Sequence, residues 1–276
     1  NSVLNPDINQ HGAPDKSMSR ARQKVAGFLL VALLLTTGGH ASAQYRLPLS
    51  FGQSDSTQIQ GDLNRFAEHA AVHFGDIPGV VFQLNREYPR IQFFYQQSLG
   101  YTGEARQYNN GTSGNYTSTG MFTLLGNITG NMQLILRYSP MVLDGKSTVL
   151  NGYGARFRPG VLTDSLHSLS LGIMVQKLAS GDFDSRNLDF SIGYNYYLPG
   201  VTIHADLVAS FVNGSFDLPA SAALSESRGD YERRVIHAGL GVQRKWKSVT
   251  LAARLRSNGY IWSGNIQIGW SIPSNI

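Results

Sequence analysis

Two aspartates, two histidines and five arginines stand where the side chains of a sheet could meet: Asp189, His204, Asp206 and His237 with Arg137, Arg156, Arg158, Arg254 and Arg256. A strand sends alternate residues to one face, so His204 and Asp206 share a face across Ala205 and offer the residue types of an acid–base pair for hydrolysis. The same groups also suit an ion-pair network, because buried charge is tolerable only when paired or wet. Such a network either fills and stiffens a narrow interior or forms a charged constriction that selects solutes. Asp189 and Asp206 fall on neighbouring strands and need cations, which the arginines are expected to supply. Other chemistries lack their residues. The chain has no cysteine, hence no thiolate metal site or disulfide framework. It has no HExxH, phosphate-cradling glycine loop or nucleophile elbow. His167-Ser168 offers a serine and a histidine, but adjacent strand residues point to opposite faces. No catalytic residue, metal or cofactor is expected, and the chain is not read as an enzyme.

The elements that must position these groups are strands. From Asp184 to Phe211 two runs alternate apolar and polar residues, Leu188, Phe190, Ile192, Tyr194 and Tyr196 and then Val201, Ile203, Ala205, Leu207, Ala209 and Phe211, divided by Pro199-Gly200. That is period two, a hairpin. Similar runs centre on Ile91 to Leu99, Thr117 to Ile128, Asn131 to Met141, Thr148 to Arg158, Leu166 to Leu178, Asn187 to Leu198, Val201 to Val212, Arg234 to Trp246, Ser248 to Ser257 and Tyr260 to Ile272. These runs exceed the roughly five or six residues of an ordinary strand and match the about nine to eleven of a tilted membrane-spanning one. Connections alternate in length: Thr102 to Tyr116, Val142 to Ser147, Ala179 to Arg186 and Asn213 to Arg233 are long, whereas Thr129-Gly130, Pro199-Gly200 and Trp246 to Ser248 are tight. Asn258-Gly259 is a tight turn on the long-loop side.

The segment before the strands divides in three. Residues 1–17 precede Met18 and read as upstream sequence. Residues 18–43 read as a secretory signal, with Arg20, Arg22 and Lys24, an apolar run from Val25 to Leu35 and Ala41-Ser42-Ala43 as the cleavage site. Residues 44–89 form a leader with a short amphipathic helix at Asp62 to Phe74, expected to pack at the N-terminus as a plug, a periplasmic cover or a surface helix, and with an ambiguous strand at Val80 to Leu84. Removal of 1–43 lowers the formal charge from +5 to about +3, and the remaining basic residues are scattered, so nucleic acid is not an expected partner.

The two faces differ in kind. One carries Leu134, Leu136, Leu171, Ile173, Leu240, Leu251, Ile266 and Ile268; the other carries Gln133, Arg137, Ser170, Gly172, His237, Gly239, Gly241, Arg254 and Gln267. Tyr138, Tyr153, Tyr196, Trp246, Tyr260, Trp262 and Trp270 are expected to form an aromatic girdle at headgroup level. From Arg90 to Ile276 the chain resembles bacterial outer-membrane β-barrels in general form, without a motif of one characterised family. The resemblance implies an all-β, antiparallel up-and-down barrel of about ten strands. It also implies a bacterial outer-membrane address, partners in outer-membrane lipid, lipopolysaccharide and the barrel assembly machinery, and a structural, adhesive or small-solute passage role. In many such barrels the last strand ends on an aromatic residue; here Trp270 is followed by Ile272 and a tail, Pro273 to Ile276. The omptin proteases resemble this chain in size and strand number, but His204, close after the Pro199-Gly200 turn, lies at the wrong end for their outer-rim chemistry. The alternatives are a secreted β-sandwich or lipocalin-like binding module, in which the apolar face packs inward, and a barrel hydrolase. The Asn-x-Ser/Thr triplets at Asn110, Asn115, Asn127 and Asn213 read as chance, and the loop acids Asp182, Asp184, Asp217, Glu226 and Asp230 as solvated or cation-bridged to lipopolysaccharide.

Overall fold

The computed structural model describes residues 44–45, 64, 67–75, 91–102, 116–143, 146–162, 166–180, 183–218 and 227–272. The upstream segment, the signal at 18–43 and the strand considered at Val80 to Leu84 lie outside the described residues.

Among the described residues there are eleven strands: β1 Gln44–Tyr45, β2 Ile91–Thr102, β3 Tyr116–Asn127, β4 Met132–Leu143, β5 Lys146–Phe157, β6 His167–Ser180, β7 Phe183–Leu198, β8 Val201–Leu218, β9 Ser227–Trp246, β10 Val249–Ser257 and β11 Ile261–Ile272. From β2 to β11 each strand pairs antiparallel with its sequence neighbour, and β11 pairs with β2, so ten strands close into an up-and-down barrel. Closure pairs each of the ten strands with two neighbours over most of the ring, the condition for crossing hydrocarbon with strands. It also overturns the β-sandwich alternative, since no second sheet faces this one among the described residues.

Local residues explain the connections. Pro199 pre-sets its own φ, and Gly200 takes φ +76°, which returns β7 onto β8 in two residues. Gly259 takes φ +99°, while Asn258 Oδ1 accepts from the backbone N–H groups of Tyr260 (3.1 Å) and Ile261 (2.9 Å). Lys247 sits at φ +53°, the one non-glycine of positive φ among the described residues.

The ten expected strands are present, but the loops expected at Ala179 to Arg186 and Asn213 to Arg233 are largely strand. Pairing continues through Ser180↔Phe183 and Leu218↔Ser227. Once a ribbon rises above the apolar belt its outward face becomes polar, and the hydrophobic alternation that marks a strand fades. The inward face still holds it, through buried Val212, Phe216, Tyr231 and Val235.

A short helix, α1, is described over 67–74, with Asn64 also helical; the expected start at Asp62 lies outside the described residues. It lies inside the barrel. His73 bonds Thr119 of β3 through Nε2 (2.7 Å) and Ser263 of β11 through Nδ1 (3.1 Å), while the Phe74 carbonyl accepts from Arg137 of β4 and Gln176 of β6, both at 2.7 Å. Only a segment within the lumen can reach all four strands. Ala67, Ala70, Ala71, Val72 and Phe74 of α1 join Met121, Met141, Leu150, Leu178, Val212 and Ile261 in one apolar cluster toward the long-loop end. Burial of Val72 and Phe74 contributes about 1.5–3 kcal/mol each.

One seam is only partly zipped. β3 and β4 pair only from Phe122↔Tyr138 to Asn127↔Gln133. Beyond that point Pro140 has no N–H to offer, the Ser139 hydroxyl donates to the Gly120 carbonyl (2.6 Å), and β1 runs parallel to Val142 and Leu143 on the edge that β3 has left.

Candidate functional site: the lumen

The interior below α1 is polar. Inward residues of successive strands form it, and all nine titratable residues singled out from the sequence are buried there. Their direct contacts among the described residues fall into three groups, and charge acts between these groups: Arg256 on Asp189 and Arg156 on His204.

The first group centres on Asp206. Register places Asp206 beside Gly239, which pairs with Arg256, and His204 beside Gly241, which pairs with Arg254. A His-x-Asp strand thus faces an Arg-x-Arg strand across Gly-x-Gly. The glycines are what make this possible: a Cβ on Gly239 would lie 2.3 Å from Asp206 Oδ1, and one on Gly241 3.1 Å from Arg254 Cγ. Arg256 donates to Asp206 Oδ2 at 2.8 Å, and Arg254 lies against Oδ1 at 2.5 Å. His204 Nδ1 is 2.6 Å from Asn195 Oδ1, and its Nε2 is 2.9 Å from the Arg254 guanidinium. Because a guanidinium only donates, Nε2 accepts and Nδ1 carries the proton. His204 and Asp206 are 4.0 Å apart, and the imidazole directs its lone pair to Arg254. The arrangement is a clamp on two arginines and lacks the nucleophile–base geometry of a hydrolase.

The second group centres on Asp189, whose described donors are neutral: Ser210 through its hydroxyl, Gln176 at 2.9 Å and Asn187 at 3.2 Å. Arg256 and Arg137 attract Asp189 by charge, so the arginines expected to balance it stand near it while its hydrogen bonds come from neutral groups. Arg137 also donates to the Phe74 carbonyl and to Gln176 Oε1 (3.3 Å). Ser210 also lies 3.0 Å from His237 Nε2. Gly75, which ends α1, fits against Asp189 and His237 so closely that a Cβ would stand 3.0 Å from each. Asp189 therefore belongs to the seat of the helix.

The third group lies toward the short-turn end. Arg158 donates to the Gly130 carbonyl (2.9 Å) and to the Tyr197 hydroxyl, which is also 2.7 Å from Ser168; Arg156 is buried in the same region. His167 points outward and stacks on Tyr194 and Tyr196, away from buried Ser168.

Sequence reasoning did not assign roles to His73, Gly75, Gln176, Asn195, Tyr197 and Ser210. The Gly-x-Gly, His-x-Asp and Arg-x-Arg runs were a usable signal, since all three have inward parity. The seat of α1 carried none, because it joins residues far apart in the chain.

Outside, the polarity is inverted. Leu134, Leu136, Ile192, Leu207, Ile236, Leu240 and Ile266 are exposed in a continuous apolar belt. Trp246, Trp270 and Tyr196 sit at the short-turn end, with Arg244 stacked 4.8 Å over Trp246, and Tyr260 and Trp262 sit at the other. Tyr138 and Tyr153 face outward in the middle part of their strands rather than at an end, a correction to the expected girdle. Alternation alone cannot tell which outward residue lies at belt height, because height depends on strand tilt and stagger.

No protein-family description and no characterised protein sequence matches the chain. Solved structures with some likeness include the KdgM porin in complex with disordered oligogalacturonate, at 8% identity and TM-score 0.38, covering 66% of this chain and 99% of that one. Ail, the attachment invasion locus protein of Yersinia pestis, gives 13% identity and TM-score 0.30 over 66% and 95%. The N-terminal β-barrel domain of Pseudomonas aeruginosa OprF gives 10% and 0.30 over 68% and 100%. Likeness at this level carries no argument about role, and the fold rests on the closed hydrogen-bonded ring itself: the chain is a closed, ten-stranded, antiparallel up-and-down β-barrel.

Proposed function

We propose that this chain is exported to the bacterial outer membrane and acts there as a plugged β-barrel, structural or adhesive in role, that passes small solutes only when α1 leaves the lumen. The observation that carries the membrane reading is the inverted polarity: large apolar side chains are exposed around the outside while Asp189, Asp206 and Arg256 are buried within. In water that arrangement is unfavourable, and in a bilayer it is the stable one. The plug reading is supported by the helix that bonds β3, β4, β6 and β11 from within. The polar ribbon of β8 and β9, which continues to Leu218 and Ser227, supplies surface for adhesion beyond the belt.

The folded protein is expected to migrate faster than the boiled one on a denaturing gel and to fractionate with outer membranes; recovery in the soluble periplasm would reject the reading. In planar bilayers the intact chain is expected to stay closed and a variant lacking 67–74 to conduct. Equal steady conductance of the two would reject the plug.

A further inference from the structure

Among the described strand side chains, outward-facing lysine, arginine, aspartate and glutamate occur only on β6 to β9. At the long-loop end of this sector the apolar columns stop abruptly. Val175 gives way to Lys177, Leu188 to Arg186, and Ile236 to Arg234, while Phe211 gives way to Asn213. Lys177, Arg186 and Asn213 are successive register partners in one row. Arg234 pairs with Phe211 one row below and holds its guanidinium 5.8 Å over that ring.

The three cations are held close but remain accessible. Asp184 lies 2.9 Å from Lys177 and 3.8 Å from Arg186, and Glu232 lies 3.8 Å from Arg234. The cationic side chains are 51%, 67% and 77% exposed, and exposed pairs of this kind bind their partners weakly. A cleft of about 450 Å³ opens above the row, where Arg186 and Asn213 line it together with the carboxylates Asp184, Asp230 and Glu232. Directly beneath, Phe190 and Phe211 meet edge to face at 6.0 Å, beside Leu188 and exposed Ile236. Guanidinium groups match phosphate through paired N–H donors. Here they stand where a lipid headgroup would meet the top of an apolar wall.

We propose that Lys177, Arg186 and Arg234 form a docking site for a phosphate-bearing lipid of the leaflet at the long-loop end, with its phosphates on these cations and its acyl chains along Leu188, Phe190, Phe211 and Ile236. The site rests on the membrane reading above. A lipid is favoured over a free phosphate ion because the neighbouring carboxylates offset the attraction for a small anion, whereas a lipid adds contact with the apolar wall.

The test uses the full chain folded into phosphatidylcholine vesicles with or without diphosphoryl lipid A, followed by native mass spectrometry of the extracted protein. The wild type and Arg228→Gln, a variant of an exposed cation near the hairpin tip, are expected to retain lipid A. The triple variant Lys177→Gln, Arg186→Gln, Arg234→Gln is expected to fall to the phosphatidylcholine background while keeping its heat-modifiable migration. Retention by the triple variant overturns the proposal, as does its absence from a heat-modifiable wild type, which leaves the membrane reading standing. A third arm replaces lipid A by inorganic phosphate; if phosphate raises the urea midpoint as lipid A does, the site takes an ion and the lipid proposal fails. A wild type that never becomes heat-modifiable removes both readings.

Discussion

Asp206 and Asp189 are both buried acids, yet their surroundings assign them different weights. Asp206 faces two arginines, so Asp206→Asn leaves two guanidinium charges without their carboxylate and is expected to cost about 3–5 kcal/mol. Asp189 accepts from a hydroxyl and two amides, so Asp189→Asn forfeits hydrogen bonds to neutral donors and is expected to cost about 1–3 kcal/mol. Urea unfolding from vesicles ranks the two, and an Asp189→Asn loss equal to or larger than that of Asp206→Asn would refute the clamp. Gly239→Ala, which drives a methyl group toward Asp206 Oδ1, is expected to reproduce part of the Asp206→Asn loss and to add little to it in the double variant, because both act on one contact.

At the scale of elements, α1 is the part with a built-in sensitivity. His69 is buried, its Nδ1 has no partner among the described residues, and burial pushes its pKa down from 6.5 to about 4. Above about pH 6.5 both docked and released helix carry a neutral imidazole, and docking is independent of pH. Between about 6.5 and 4 the released helix binds a proton that the docked one refuses, so docking weakens as pH falls, by up to about 3 kcal/mol, and changes no further below about 4. Conductance or protease access to 67–74 should therefore rise from pH 7 to pH 4.5 in the wild type and stay level in His69→Leu; the same rise in both would assign the effect elsewhere. Turns respond differently. Lys247 occupies a left-handed backbone that glycine adopts without strain, so Lys247→Gly is expected to stabilise the β9–β10 hairpin by up to about 1 kcal/mol in the same urea assay. A loss of stability on that exchange would show that the turn carries no such strain.

At the scale of the whole molecule the solvent outside decides what each outward residue is worth. Leu207 is 52% exposed on β8, within the run from Val201 to Phe211. In a water-soluble protein, an exposed Leu→Arg change away from special features stays within about 0.5 kcal/mol. In a bilayer, arginine near the midplane costs about 2–4 kcal/mol. Leu207→Arg thus measures the environment directly, by reversible folding into vesicles, and a change near zero would contradict the membrane reading.

The chain's own period of two, its turn residues and its split between an apolar and a polar face were sufficient for ten strands, their order and the parity of every lumen charge. These are local properties, set by the alternation of the backbone and by φ at positions such as Gly200 and Gly259. Which inward groups meet was decided only on closure. Register and stagger bring His204 and Asp206 across Gly239 and Gly241 to Arg254 and Arg256, set Asp189 among neutral donors, and leave Tyr138 and Tyr153 in mid-strand. The place of α1 is of the same kind: amphipathic spacing announces a helix that must bury one face. Only a ring of distant strands, with Thr119, Arg137, Gln176 and Ser263 turned inward, creates the cavity that receives it.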